Sequence, residues 1–231
     1  MTERHELRWG GLAGLGFIAL AAIAVILPGI PPRLDSTAGE VSAYFTDSRG
    51  QILVAALLWS AAAALVIWFA SAFAEAIRER EERSDLHLAL IAGAVLVGGA
   101  MFVNAALLGA TAYGVGDRAA DMTYMHFELA SILTTTIGFA SALPLTAAGL
   151  GVLRTHMMPD WLGYLAFTAA AVSVVGAFGI FASEGTFVAG GPLMTLVPLG
   201  VSALFVLCGS VYMVREHLPE VTGTQPATQA P

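Results

Sequence analysis

Six stretches of the chain, 9–32, 50–74, 86–116, 129–153, 161–183 and 185–214, contain no Asp, Glu, Lys or Arg. A helix needs roughly 20 apolar residues to cross a hydrocarbon core ~30 Å thick, at ~1.5 Å of rise per residue. Each stretch meets that length. Lipid cannot hydrogen-bond a bare backbone, so spanning segments of this kind are helical. The expected fold is therefore all-α: a polytopic bundle of six transmembrane helices.

Composition agrees. The 231 residues are 57% hydrophobic and only 12% charged, where a soluble domain carries about 25%. No hydrophilic block is large enough for a second domain. Residues 1–221 read as one transmembrane domain, and 222–231, rich in Thr, Pro, Gln and Ala, as a disordered tail. The first segment has a longer apolar run than a signal peptide, and no A-x-A site precedes Pro28-Gly29-Ile30-Pro31-Pro32. It reads as a retained first helix.

All ten basic residues are Arg. Without Lys there is no side-chain amine for a retinal or pyridoxal Schiff base. The single cysteine, Cys208, lies within the sixth segment. It has no partner for an intramolecular disulfide or a CxxC redox pair, and reads as a small buried hydrophobe.

Arginine placement predicts orientation. One set of flanks carries Arg4, Arg8, Arg78, Arg80, Arg83, Arg154 and Arg215, the other only Arg33, Arg49 and Arg118. Seven against three places both termini in the cytoplasm, with connections 29–50, 111–124 and 183–190 outside. The mixed run Arg78-Glu79-Arg80-Glu81-Glu82-Arg83 reads as a solvated helix end with i,i+3 pairs. In the first outer connection Thr37 and Glu40 match a capping box, and Val41, Tyr44 and Phe45 follow at i, i+3 and i+4. A short interfacial helix is expected there, either as an anchor on the membrane surface or as a lid over a cavity. Asp160, after Pro159, is the expected N-cap of the fifth spanning helix.

Polar residues at membrane depth usually face the bundle interior. Tyr124, Glu128, Ser131, Thr135, Gly138 and Ala142 share a 3–4 spacing and predict one polar-to-small stripe. By helical rise Glu128 lies ~35 Å from the cytoplasmic end of its segment, near the outer boundary, and Asn104 ~25 Å along the third segment. Glu184 ends the fifth segment. Asn104, Glu128, Ser131, Thr135 and Glu184 are thus the candidates for an outward-facing polar pocket. The plainer role for the same residues is interhelical hydrogen bonding, with carboxylates in the headgroup region. Pro144 and Pro198 are candidate kinks.

Enzyme signatures fail on context. Gly114-Val115-Gly116-Asp117 spells GxGD, but lies in a predicted outer loop without a second intramembrane Asp. His87 and His126 fall at opposite membrane faces, unlike paired haem ligands. No HExxH, histidine box or phosphate-binding glycine loop occurs in a suitable context. No catalytic residue, metal site or cofactor is assigned.

Three parts of the chain carry a resemblance. They are Leu27-Pro28-Gly29-Ile30-Pro31-Pro32 with Asp35-Ser36 and Glu40-Val41-x-x-Tyr44-Phe45-x-x-Ser48-Arg49; Arg154-Thr155-His156-Met157-Met158-Pro159-Asp160-Trp161-Leu162-Gly163; and Gly190-Gly191-Pro192-Leu193. Together they resemble an uncharacterised family of six-helix integral membrane proteins common in actinobacteria, a domain of unknown function. The resemblance covers essentially the whole chain. Asp160 departs from it, standing where that pattern commonly has a basic residue. It implies the six-helix fold and no activity, substrate or catalytic residue.

The first functional expectation is a non-catalytic structural or accessory protein of the cell membrane, binding lipids, partner helices or a second copy. Gly10, Gly11 and Gly14, and Gly93, Gly98 and Gly99, offer close-packing surfaces for such partners. A transporter or small-molecule binding protein using the outer pocket is the alternative, and a membrane enzyme the third. No nucleic-acid partner is expected.

Overall fold

A computed structural model describes residues 2–182, 187–189 and 191–215, with side chains from Leu7 onward except Pro192. The elements are α1 (Thr2–Ile26), α2 (Ala38–Asp47), α3 (Arg49–Arg78), α4 (Leu86–Gly114), α5 (Ala120–Thr155), α6 (Asp160–Ala177), a 3-10 turn (Phe178–Phe181) and α7 (Pro192–Val214). No strand forms among the described residues. Six of the helices, all but α2, are long and apolar enough to span a membrane. The protein is an all-α, multi-pass membrane bundle.

The spans form a ring. Helix α1 packs beside α3 and α7, α3 beside α4, α4 beside α5, α5 beside α6, and α6 beside α7. Contacts across the ring, α3 with α5 and α5 with α7, are marginal. Small residues set the close approaches. A Cβ at Gly14 would overlap Ser210 of α7 and Phe69 of α3, and one at Gly138 would strike the Ser173 carbonyl of α6. Pro144 sits against Gly93, where an added Cβ would come within 2.5 Å of the proline Cδ. Gly14 and Gly93, offered by the sequence as close-packing surfaces, thus face neighbouring helices of the same chain, whereas Gly99 has no neighbour within 4 Å.

The two ends of the ring differ. At the arginine-rich end, where α3, α5 and α7 finish, Ile77, Val152, Met157, Leu162 and Met213 are each at most 1% exposed and plug the centre. His156 turns the chain between α5 and α6 with φ of 48°, and its Nδ1 lies 3.0 Å from Asp160. The N-cap is Pro159, so Asp160 is the first helical residue and its carboxylate faces back to His156. Arg78 pairs with Glu75 one turn back, and Arg154 of α5 reaches Glu81 at 3.5 Å.

At the other end α2 lies across the bundle. Its capping box is complete: Thr37 N–H donates to Glu40 Oε2 at 2.8 Å and Glu40 N–H to Thr37 Oγ1 at 3.3 Å. Val41 and Phe45, 0% and 1% exposed, pack on Ile52, Ala112, Val115 and Phe127. The apolar face is thus turned into the bundle, as a lid would be, because apolar side chains from α3, α4, the residue after α4, and α5 receive it there.

The last residues of the chain, including 222–231, lie outside the described residues.

Candidate functional site

Closing six helices into a ring leaves space at its centre. The cavity has a volume of about 420 Å³, within the ~300–1,000 Å³ typical of ligand sites. Its walls run on α3 from Ile52 to Phe73 and on α5 from Phe127 to Ala148, which at ~1.5 Å per residue is ~30 Å of depth. The floor is aromatic. Phe69 and Phe73 lie with ring centroids 5.8 Å apart, and Phe73 and Phe205 5.9 Å apart. Tyr44 and Phe45 of α2 close the opposite end, together with Pro28, Pro31 and Pro32.

No Asp, Glu, Lys, Arg or His lines this space among the described residues. Its polar members are Asn104, Ser131, Thr134, Thr135, Ser141 and Ser173 on α4, α5 and α6, with Tyr44 of α2 and Thr195 and Ser202 of α7. The four α5 hydroxyls have their protons engaged. Ser131 donates to Phe127 O, Thr135 to Ser131 O, Thr134 to Ala130 O and Ser141 to Ile137 O, each at 2.9 Å. Back-bonding of this kind satisfies a hydroxyl within its own helix. It leaves the α5 side of the cavity wall chemically close to apolar.

Asn104 bridges two helices. Its Nδ2 donates to Thr134 Oγ1 at 2.7 Å. Since the Thr134 proton goes to Ala130, Thr134 can only accept from Asn104, which sets the orientation of the amide. Asn104 Oδ1 is buried without a hydrogen-bond partner.

The structure thus brings Asn104, Ser131 and Thr135 to one cavity and leaves Glu128 out. Glu128 is exposed on the outer surface of α5. The inward stripe steps from Ser131 back four residues to Phe127, 7% exposed, and not back three to Glu128. Those two positions differ by about 100° around the helix. A phenyl ring suits the uncharged interior, where an unpaired carboxylate would be costly. The pocket expected to be polar is accordingly an apolar cavity with a hydroxyl-bearing wall. Glu184 lies outside the described residues. Phe69, Phe73, Trp59 and Thr134 line the cavity and escaped sequence reasoning, because an apolar or back-bonded side chain on a spanning helix reads the same whether it faces lipid or a void.

Polar contacts flank the lid. Tyr124 of α5 donates its hydroxyl to Leu34 O, before α2, at 2.6 Å, and Arg49 at the start of α3 donates to Tyr113 O of α4 at 3.1 Å with its guanidinium 5.9 Å from the Tyr113 ring centre. The Thr37 backbone N–H, and then its hydroxyl, hold the Glu40 carboxyl below its usual range, and burial pushes the Tyr44 hydroxyl up.

One stretch of wall is thin. Of the described lining residues, only Val25, Gly29, Pro31 and Leu196 are also exposed. They come from the end of α1, the segment after it, and the start of α7. No group of three His, Cys, Asp or Glu residues comes together among the described residues. Comparison of the chain with protein-family models, with curated proteins and with solved structures returned no match.

Proposed function

We propose that this protein is a non-catalytic binding protein of the cell membrane that holds a neutral, largely apolar molecule in its central cavity. The observation that carries this reading is the cavity itself, about 420 Å³ lined from all six spans with no charged side chain among the described residues. Such a space disfavours an ion or a charged metabolite, which would lose its hydration without a partner. It favours a molecule that is content in hydrocarbon. A cavity this size cannot be closed by small side-chain shifts, so the bundle is more stable when it is filled.

The transport alternative draws support from Pro144 and Pro198, which both lie in the cavity wall. Both are nevertheless seated against glycines, Gly93 and Gly176, in tight helix contacts. That placement gives them a packing role and makes binding the better-supported reading.

The test is extraction of the purified protein with organic solvent, followed by mass spectrometry of what is released, for the parent and for Ala105→Leu/Ala130→Leu. Both alanines are buried and line the cavity, so the added methyl groups occupy it. A neutral hydrophobic compound retained by the parent and depleted in the variant supports the proposal. Equal release from both, or none from either, overturns it.

A further inference from the structure

We propose that the occupant is one acyl chain of a bilayer lipid, threaded through a side opening between the end of α1 and the start of α7 while its headgroup stays at the membrane interface. This rests on the reading of the cavity as a site for an apolar molecule, and specifies shape, source and route.

Shape comes first. The volume of about 420 Å³ is not compact. It is drawn out over ~30 Å along α3 and α5, about the depth of the hydrocarbon core. A narrow space of that length suits an extended chain better than a ring system.

The route follows from where the wall is thin. Val25 and Leu196 line the cavity and are 36% and 50% exposed. Val25 lies one residue from the end of its span, and Leu196 three residues into its own. Both therefore sit within ~5 Å of the hydrocarbon boundary on the α2 side. Ile23, Ile26, Leu193 and Val197 around them are exposed too, so the rim is apolar and faces lipid. Along the same α1–α7 seam, the arginine-rich end is shut. There a Cβ on Gly11 would meet Val214, Ser210 and Met213 at about 3 Å. Ile77, Leu162 and Met213 plug the centre at that level. An occupant from the far side has no path, whereas one from the neighbouring leaflet has a short one.

The headgroup is placed by exclusion. A phosphate or glycerol inside would face no charged side chain among the described residues, and the α5 hydroxyls there are back-bonded. Gly29 and Pro31 continue the exposed lining beyond the end of α1, and a headgroup there keeps its water.

Trp59 lines the cavity, whereas Trp9, Trp68 and Trp161 are exposed. Replacing those three by Phe leaves Trp59 as the only tryptophan. This protein is reconstituted in phosphatidylcholine whose acyl chains carry bromine, a short-range quencher, and compared with Val25→Phe/Leu196→Phe added to plug the opening. The expected result is strong quenching of Trp59 in the parent, with most of the emission restored by the plug. Equal quenching in both overturns the route. A brominated free fatty acid added from solution to unbrominated vesicles forms the second arm. Quenching by that acid alone overturns the bilayer lipid as occupant. No quenching by the brominated lipid, with a hydrophobic compound still extracted from the parent, overturns the acyl chain and leaves the cavity reading standing. No quenching and no extracted compound overturns both. Circular dichroism checks folding, and Leu196→Phe alone, at an exposed position, carries the same comparison if the double plug does not fold.

Discussion

Asn104 is a polar cross-link between α4 and α5 in a nearly apolar cavity wall. Its Nδ2 is bonded and its Oδ1 is not, and a buried acceptor without a donor is destabilising by about 1–3 kcal/mol. Asn104→Leu removes both groups at similar volume and leaves Thr134 bonded to Ala130. It is expected to be neutral or stabilising by up to ~1 kcal/mol in denaturant unfolding of the detergent-solubilised protein. Thr134→Val strands the amide nitrogen too, and is expected to destabilise by ~1–3 kcal/mol. A marked loss in Asn104→Leu would reveal an unseen donor to Oδ1. Glu128→Gln, on the exterior, should fall within ~0.5 kcal/mol of the parent. The contrast between these positions follows from which face of the helix each occupies, and not from how polar each one is.

Among the elements, α2 combines a local cap with long-range packing. Its N-terminus is fastened by Thr37 and Glu40 and its middle by Val41 and Phe45. Thr37→Ala is expected to weaken the helix by ~1 kcal/mol, read as faster amide hydrogen exchange over 38–47 with no change in the spans. The Glu40 contribution is pH-dependent with a definite sign. Its carboxyl is lowered from 4.5 by the Thr37 N–H and hydroxyl, so the ionised form is the one the fold favours. Its support is present above that ordinary value and is lost as pH falls through the lowered folded one. NMR titration of the Glu40 side chain should therefore report a midpoint below that of an unstructured peptide, and Thr37→Ala should return it towards the ordinary value. Between the spans, Gly138→Ala would press a methyl group into the Ser173 carbonyl of α6. Overpacking of this kind typically destabilises by ~1–3 kcal/mol, measurable in the same unfolding assay.

The whole molecule is asymmetric from end to end: plugged at the arginine-rich end, lidded at the α2 end, and thin-walled at one side near the lid. We infer from the seven-to-three arginine bias that the plugged end faces the cytoplasm. Reporter fusions after Arg83 and Arg154 should then read cytoplasmic, and fusions near Asp47 and Gly116 external. An external signal at Arg83 would invert the protein and assign the opening to the other leaflet, leaving the ring itself unchanged.

The six spans, the capped helix on 38–47 and the side chains that this helix buries were legible in the chain alone. Each rests on a local property: length without charge, a Thr and Glu three apart, an i, i+3, i+4 face. The bounds drifted at both kinds of end: Pro28 and the 3-10 turn at Phe178–Phe181 end helices earlier than the uncharged runs do, α5 starts at Ala120, ahead of its run, and α7 at Pro192, inside its own. Which face of each span turns inward was legible only where polar residues marked it, as at Asn104, Ser131 and Thr135, because in lipid both faces are otherwise apolar and the periodic contrast that marks a core in water is absent. For α5 the 3–4 spacing put Glu128 on the inward stripe, and the ring packing gave that place to Phe127. The cavity was likewise invisible, since an empty space has no residues of its own. Only the closure of six helices onto each other, with glycines drawing some seams tight and Val25 and Leu196 left at a loose one, determined where it lies and where it meets the membrane.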